Sequence, residues 1–269
     1  MNVIPQRLIE RGNMKRTFTI FLLFLIATGT SLAQGTSGES AKYEYRYLID
    51  MPTAGLLEKG FVGIMSDILP SGVMIEYMEV GVFKSMSFGI SYGGANIIGR
   101  GRIDWYKWPG INVRVRILNE TTTLPALTAG FDSQGKGEYF KDEARYSIKS
   151  PGFFAAASKN FELWGFLALH ATVNYSLENK DGDNFVNFSG GVEKTIGSDV
   201  SIVLEYNFAL NDNNGNFGSG NGYLNTGLRW SIGNGFTLEF DLRDLLQNGK
   251  ANPNSADRGL RIEYIQSIF

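Results

Sequence analysis

At 269 residues the chain is long enough for one or two ordinary domains, and 33 glycines, 13% aromatic and 19% charged residues narrow that range. The absence of cysteine excludes a disulfide framework, a thiolate metal site and a lipid-attachment cysteine. A net charge of −2 offers no basic footprint for nucleic acid, which is not expected as a partner.

The N-terminus reads as a secretory signal peptide over residues 1–33. Met14-Lys15-Arg16 is a short basic region, Phe18 to Ala27 an apolar run, and Ser31-Leu32-Ala33 places small residues at −3 and −1 of a cleavage site before Gln34. The run is too short for a spanning helix, which needs roughly 20 residues. Residues 1–13 fit no part of a signal peptide, so Met14 is read as the start. Residues 34–54 are expected to form a short N-terminal periplasmic segment, and residues 55–269 the folded domain.

From there onward apolar and polar residues alternate. Ile111, Val113, Val115 and Ile117 alternate with Asn112, Arg114 and Arg116. Leu167 to Leu177 is apolar at every odd position, and Val200 to Leu210 at every even one. Successive side chains on a strand face opposite ways, so each segment has one oily and one polar face. Sandwich strands average about 5–6 residues, whereas these runs reach the length that crosses a bilayer with tilt. The expected fold is all-β, a transmembrane antiparallel up-and-down β-barrel of about twelve strands. Their centres fall on 57–68, 72–83, 86–98, 110–119, 124–132, 152–161, 165–178, 184–197, 199–210, 222–233, 235–247 and 258–269. A shift at Met78–Val80 suggests a bulge in the second strand.

Connection lengths support the same fold. Turns at Lys84-Ser85, Asn119–Thr123, Glu162–Trp164, Ser198 and Asn234 are tight. Five of the six intervening connections are longer, among them Gly99–Pro109, Ser133–Pro151, Asn211–Asn221 and Asn248–Asp257, as expected for short periplasmic turns and long external loops. The chain ends on Phe269, an aromatic end typical of strands handled by the barrel-assembly machinery. Phe269 nevertheless has the opposite parity to Leu260, Ile262 and Tyr264, which calls for a late bulge. Outer-membrane lipid and that machinery are the expected partners.

Pro125-Ala126-Leu127-Thr128-Ala129-Gly130-Phe131-Asp132, then Gly135-Lys136-Gly137 with Tyr139-Phe140, and later Ala157-Ser158-Lys159, resemble the YjbH-like outer-membrane proteins. The match spans about residues 125–161. Lys136 stands where threonine is expected, and the insert from Lys141 to Ser150 is longer than usual. The resemblance implies a barrel and a role linked to exopolysaccharide, with a polysaccharide or a small solute as cargo. Without it, Asp132, Gly135 and Gly137 read as residues that shape a strand exit.

No catalytic constellation is expected. The one histidine, His170, lies on a polar strand face, and Thr172 rather than serine follows it two residues later. Asn179–Asp183 and Asn211–Asn216 read as ordinary loops with at most weak calcium affinity. No metal site or cofactor is expected. The strand phasing turns Arg114, Arg116, His170, Glu193, Glu205, Arg229, Glu239, Asp241, Arg243, Arg261 and Glu263 inward, because a charge on the lipid face costs about 2–4 kcal/mol at the midplane. Two readings of this lumen stay open. One is a narrow channel lined by charge; the other is a paired, nearly closed interior in a barrel that acts through its external loops.

Overall fold

The computed structural model describes residues 43–213, 216–250 and 257–268. The signal peptide and Phe269 lie outside these residues. Fifteen strands follow in chain order: β1 (Phe61–Leu69), β2 (Val73–Phe83), β3 (Met86–Ala95), β4 (Asp104–Trp105), β5 (Gly110–Leu118), β6 (Ala126–Asp132), β7 (Lys136–Phe140), β8 (Arg145–Ile148), β9 (Gly152–Glu162), β10 (Phe166–Tyr175), β11 (Asn187–Ile196), β12 (Val200–Asn207), β13 (Tyr223–Gly233), β14 (Phe236–Arg243) and β15 (Asp257–Ser267).

Twelve of them close into one antiparallel barrel. Neighbours in sequence pair in turn, β9 follows β6, and β1 pairs with β15 from Phe61↔Ser267 to Ile68↔Leu260. The additional β2–β3 pairing completes the ring and leaves no free edge. Both chain ends of the barrel lie at the rim that carries the tight turns. The opposite rim carries the long connections, including β4 and the β7–β8 hairpin. All twelve expected strands are present, although the wall begins at Phe61 rather than at residue 55.

The wall is inside-out. Along β12, Ser201, Val203 and Glu205 are buried while Ile202 and Leu204 are exposed. Along β13 and β14, Arg229, Glu239 and Asp241 are buried while Leu228, Trp230, Phe240 and Leu242 face out. In water such an exterior would forfeit roughly 25 cal/mol for every Å² of apolar area left exposed. The polarity therefore selects an apolar surrounding and a polar interior.

Two departures from the sequence reading have physical reasons. The ladders through Met78–Val80 are regular, and the irregularity of β2 falls at Gly81/Phe83 instead. The apparent shift arises because the inner face of β2 is itself apolar at its outer end. Val73 and Ile75, with Leu69, Ala95, Tyr106 and Tyr146, form a buried cluster against which Tyr77 and Tyr139 pack. The β7–β8 hairpin folds inward to cover them, so Ser133–Pro151 is not a free loop.

The second departure concerns residues 34–54, whose described part lies inside the barrel. Residues 43–57 enter the barrel from the tight-turn rim, reverse at Ile49–Met51 and return to β1. Leu48 and Ile49 are fully buried, and Leu48, Ile49 and Met51 pack on Val203 of the wall. Tyr47 bridges Pro52, Leu48 N–H donates to Met51 O at 2.9 Å, and Thr53 N–H donates to Arg46 O at 2.9 Å. Gly191 on β11 lets this tip approach, since a Cβ there would lie 2.1 Å from Leu48 Cδ2. Gly55 lets the two legs meet, since its Cβ would lie 1.9 Å from the Tyr45 carbonyl oxygen. Gly55→Val is therefore expected to splay the legs without touching the wall. Limited proteolysis within residues 43–57 should then rise, while the barrel keeps its heat-modifiable mobility on a gel.

Candidate functional site: the occupied lumen

The wall holds residues 43–57 mainly through polar side chains aimed at its backbone. Glu205 accepts three consecutive N–H groups on one oxygen, from Ile49 at 2.8 Å, Asp50 at 2.9 Å and Met51 at 3.0 Å. Successive amides converging this way form a concave anion site, and here the anion is a wall carboxylate. The carbonyls are met in order. Arg229 donates to those of Tyr47 (2.9 Å) and Leu48, and Arg261 to that of Ile49 at 2.7 Å. Thr172 donates to Pro52 O at 2.5 Å, Arg114 to Thr53 O at 3.2 Å and Thr128 to Ala54 O at 2.7 Å. A buried backbone must satisfy its polar groups, and here side chains from seven barrel strands do so, Ser158 on β9 included.

Ion pairs tie the same segment to the wall. Arg46 pairs with Glu263 on β15 and with Glu79 on β2, the latter at 2.9 Å. Asp50 meets Lys136 at 2.9 Å and Arg243 at 3.0 Å, while Glu44 meets Arg116. These contacts join a chain of alternating charge along the inner face. Glu193 pairs with Arg229 (2.8 Å), Arg229 with Glu239, Glu239 with Arg261 (2.9 Å) and Arg261 with Asp67 (2.7 Å). Lys136 extends it from Asp67 at 3.1 Å, and Arg243 meets Asp241 at 3.3 Å. Among the described residues the inner wall thus carries eight carboxylates: Asp67, Glu79, Asp132 and Glu193, then Glu205, Glu239, Asp241 and Glu263. Six cations oppose them: Arg114, Arg116, Lys136, Arg229, Arg243 and Arg261.

All eleven residues that strand phasing turned inward therefore lie on the inner face. Sequence reasoning missed Asp67 and Glu79 on the irregular first strands, and also Arg46, Asp50 and Lys136. Asp132, read as a bend residue, accepts a hydrogen bond from the Tyr47 hydroxyl, to which Asn112 also donates at 2.9 Å. Gly137 lies inside β7 rather than at a strand exit, with φ 82° at the irregularity of the β7–β8 ladder, and its carbonyl accepts the Tyr106 hydroxyl at 2.6 Å. Gly135 sits against the Tyr146 ring, where a Cβ would clash at 2.4 Å. Residues 126–132 and 152–158 are neighbours in the wall, since Ala126 pairs with Ser158.

His170 Nδ1 lies 2.8 Å from Ser158 Oγ, which also receives the Ala54 N–H at 3.0 Å. The pair is buried beneath residues 52–54, and its serine is engaged by the backbone it supports.

At the long-loop rim, Arg145 is fully buried and pairs with Asp181 and Asp212, both at 2.7 Å, and Lys149 also reaches Asp181 at 2.7 Å. Burial alone would raise the Asp181 pKa; Lys149 and Arg145 outweigh it and hold the carboxyl below the usual range. Asp181, Asp183 and Asp212 converge closely enough to resemble a cation site, and these two basic side chains offset two of its three charges.

Two cavities bracket the inserted segment. Outward of it lies a vestibule of about 110 Å³ floored by Asp50, Met51 and Pro52 and lined by Asn174, Asn187, Asn207 and Asn225. Beside its inner leg, next to Arg46 and Tyr47, there remains about 10 Å³. That is room for about one water.

No family model and no curated protein matches the sequence. Solved structures of similar shape include two porins and an outer membrane protein. The KdgM porin aligns with a TM-score of 0.47 at 7% identity, covering 78% of this chain and 99% of that one. The NanC porin aligns at 0.44 and 11% identity over 77% of this chain and all of its own. The Acinetobacter baumannii outer membrane protein Omp33 aligns at 0.43 and 8% identity, over 77% of this chain and 98% of that one. Likeness at this level carries no inference about the activity of this chain.

Proposed function

We propose that this chain is an outer-membrane β-barrel of a Gram-negative-type envelope, delivered by its signal peptide, that passes small solutes and is closed at rest by residues 43–57. The observation that carries the proposal is a polar, twelve-stranded lumen occupied by a segment of the same chain and held through hydrogen bonds that water can replace. The apolar outer face meets lipid, and the C-terminal strand β15 serves as the assembly signal. The YjbH-like segment supplies Asp132 and Ser158 to the hold on that segment. It supports an accessory role in polysaccharide export as the setting for this transport.

The test is conductance in planar bilayers of the intact barrel and of one whose mature chain begins at Glu58. The intact protein is expected to be nearly silent and the shortened one to conduct. The continuous ion-pair chain favours a second reading, a permanently closed barrel acting through its external loops. A shortened barrel that keeps heat-modifiable mobility but conducts no better than lipid alone would establish that second reading.

A further inference from the structure

Resting on this transport reading, we infer that the opened lumen prefers cations and that Glu79 and Glu263 are its specificity-determining residues. The inference comes from asking which wall charges keep a partner once residues 43–57 leave. Glu193, Glu239, Asp67 and Asp241 keep a cation each, Arg229, Arg261, Lys136 on the inward hairpin and Arg243, although the last two lose Asp50. Their fields largely cancel.

The remaining wall charges are held by the departing segment. Glu79 and Glu263 both lose Arg46, Glu205 loses three backbone amides, and Asp132 loses the Tyr47 hydroxyl. On the other side, Arg116 loses Glu44, and Arg114 loses the Thr53 carbonyl and the Tyr47 ring 4.5 Å from its guanidinium. Four released carboxylates then face two released arginines. In a narrow lumen between low-dielectric walls such an imbalance concentrates counter-ions of the opposite sign.

Glu79 and Glu263 stand out within the four because β1 alone separates their strands and both converge on one guanidinium. Once vacated, that position is a two-carboxylate site of the right chemistry for a guanidinium or ammonium group. Small cations and amine-bearing solutes are accordingly the class expected to pass most readily.

Reversal potentials across a potassium chloride gradient test this on the barrel that begins at Glu58. A cation-to-chloride permeability ratio above one is expected. The Glu79→Gln/Glu263→Gln pair should bring the ratio close to one, since two carboxylates would then face two arginines. If the shortened chain does not assemble, the same reading is taken from the openings of full-length Gly55→Val. Conductance with no preference, or with a preference for chloride, would overturn this inference and leave the transport reading standing. An assembled shortened barrel that stays silent would overturn both.

Discussion

Replacing Arg229 with alanine is expected to cost the barrel about 3–5 kcal/mol, the range for removing one partner from a buried ion pair. The side chain is fully buried and joins Glu193 to Glu239 while donating to the carbonyls of Tyr47 and Leu48. Without it Glu193 on β11 loses its ion-pair partner, Glu239 on β14 keeps only Arg261, and two carbonyls lose their donor. Urea unfolding in lipid vesicles, followed by the mobility shift on a gel, reads the effect. A shift below about 1 kcal/mol, the scale of an exposed pair, would mean that the interior is hydrated and that the pairs are not structural.

Glu205 carries the second large effect, and it acts on closure rather than on the wall. Its single oxygen satisfies the amides of Ile49, Asp50 and Met51, at the reversal of the inserted segment. Hydrogen bonds to a charged acceptor contribute about 1.5–3 kcal/mol each. Sharing one oxygen reduces the sum, and a loss of about 3 kcal/mol for Glu205→Ala corresponds to on the order of a hundredfold rise in the released population. The chain has no cysteine, so one introduced at Asp50 is the sole thiol; because it removes the pairs to Lys136 and Arg243, Asp50→Cys alone is the reference. Its labelling by a bulky water-soluble thiol reagent should accelerate by that factor in the Glu205→Ala background. Asn225 also donates to Glu205, at 3.0 Å. Asn225→Ala should therefore give a smaller acceleration in the same direction.

These effects differ in how far they could be read from the sequence. The wall was legible because a strand repeats every two residues. Inverted polarity over runs such as Leu167–Leu177 leaves few alternatives to a barrel in an apolar medium. Phasing placed Arg229, Glu239 and Arg261 inward for the same reason. The first strands were harder because the β7–β8 hairpin covers Val73 and Ile75, so that both faces of β2 are apolar there.

The inserted segment had no periodic signature. Its partners Glu205, Arg229, Thr172, Arg114 and Thr128 are single residues on five different strands, brought together by closure of the ring and by nothing local. One signal could have raised suspicion: Tyr43 to Leu57 carries three tyrosines together with Leu48, Ile49, Met51, Leu56 and Leu57. That is more apolar area than a solvated linker needs, and such a segment calls for something to pack against.

Cross-linking of Asp50→Cys to Asn225→Cys tests most directly whether the chain closes its own lumen. The two native side chains approach to 3.5 Å, with Asp50 at the reversal of the inserted segment and Asn225 on the inner face of β13. In assembled barrels within intact membranes, mild oxidation is expected to join the two cysteines with high yield and to leave conductance at the closed level. Efficient labelling of Asp50→Cys from the periplasmic side, with no cross-link to Asn225→Cys, would contradict the account by placing residues 43–57 outside the barrel.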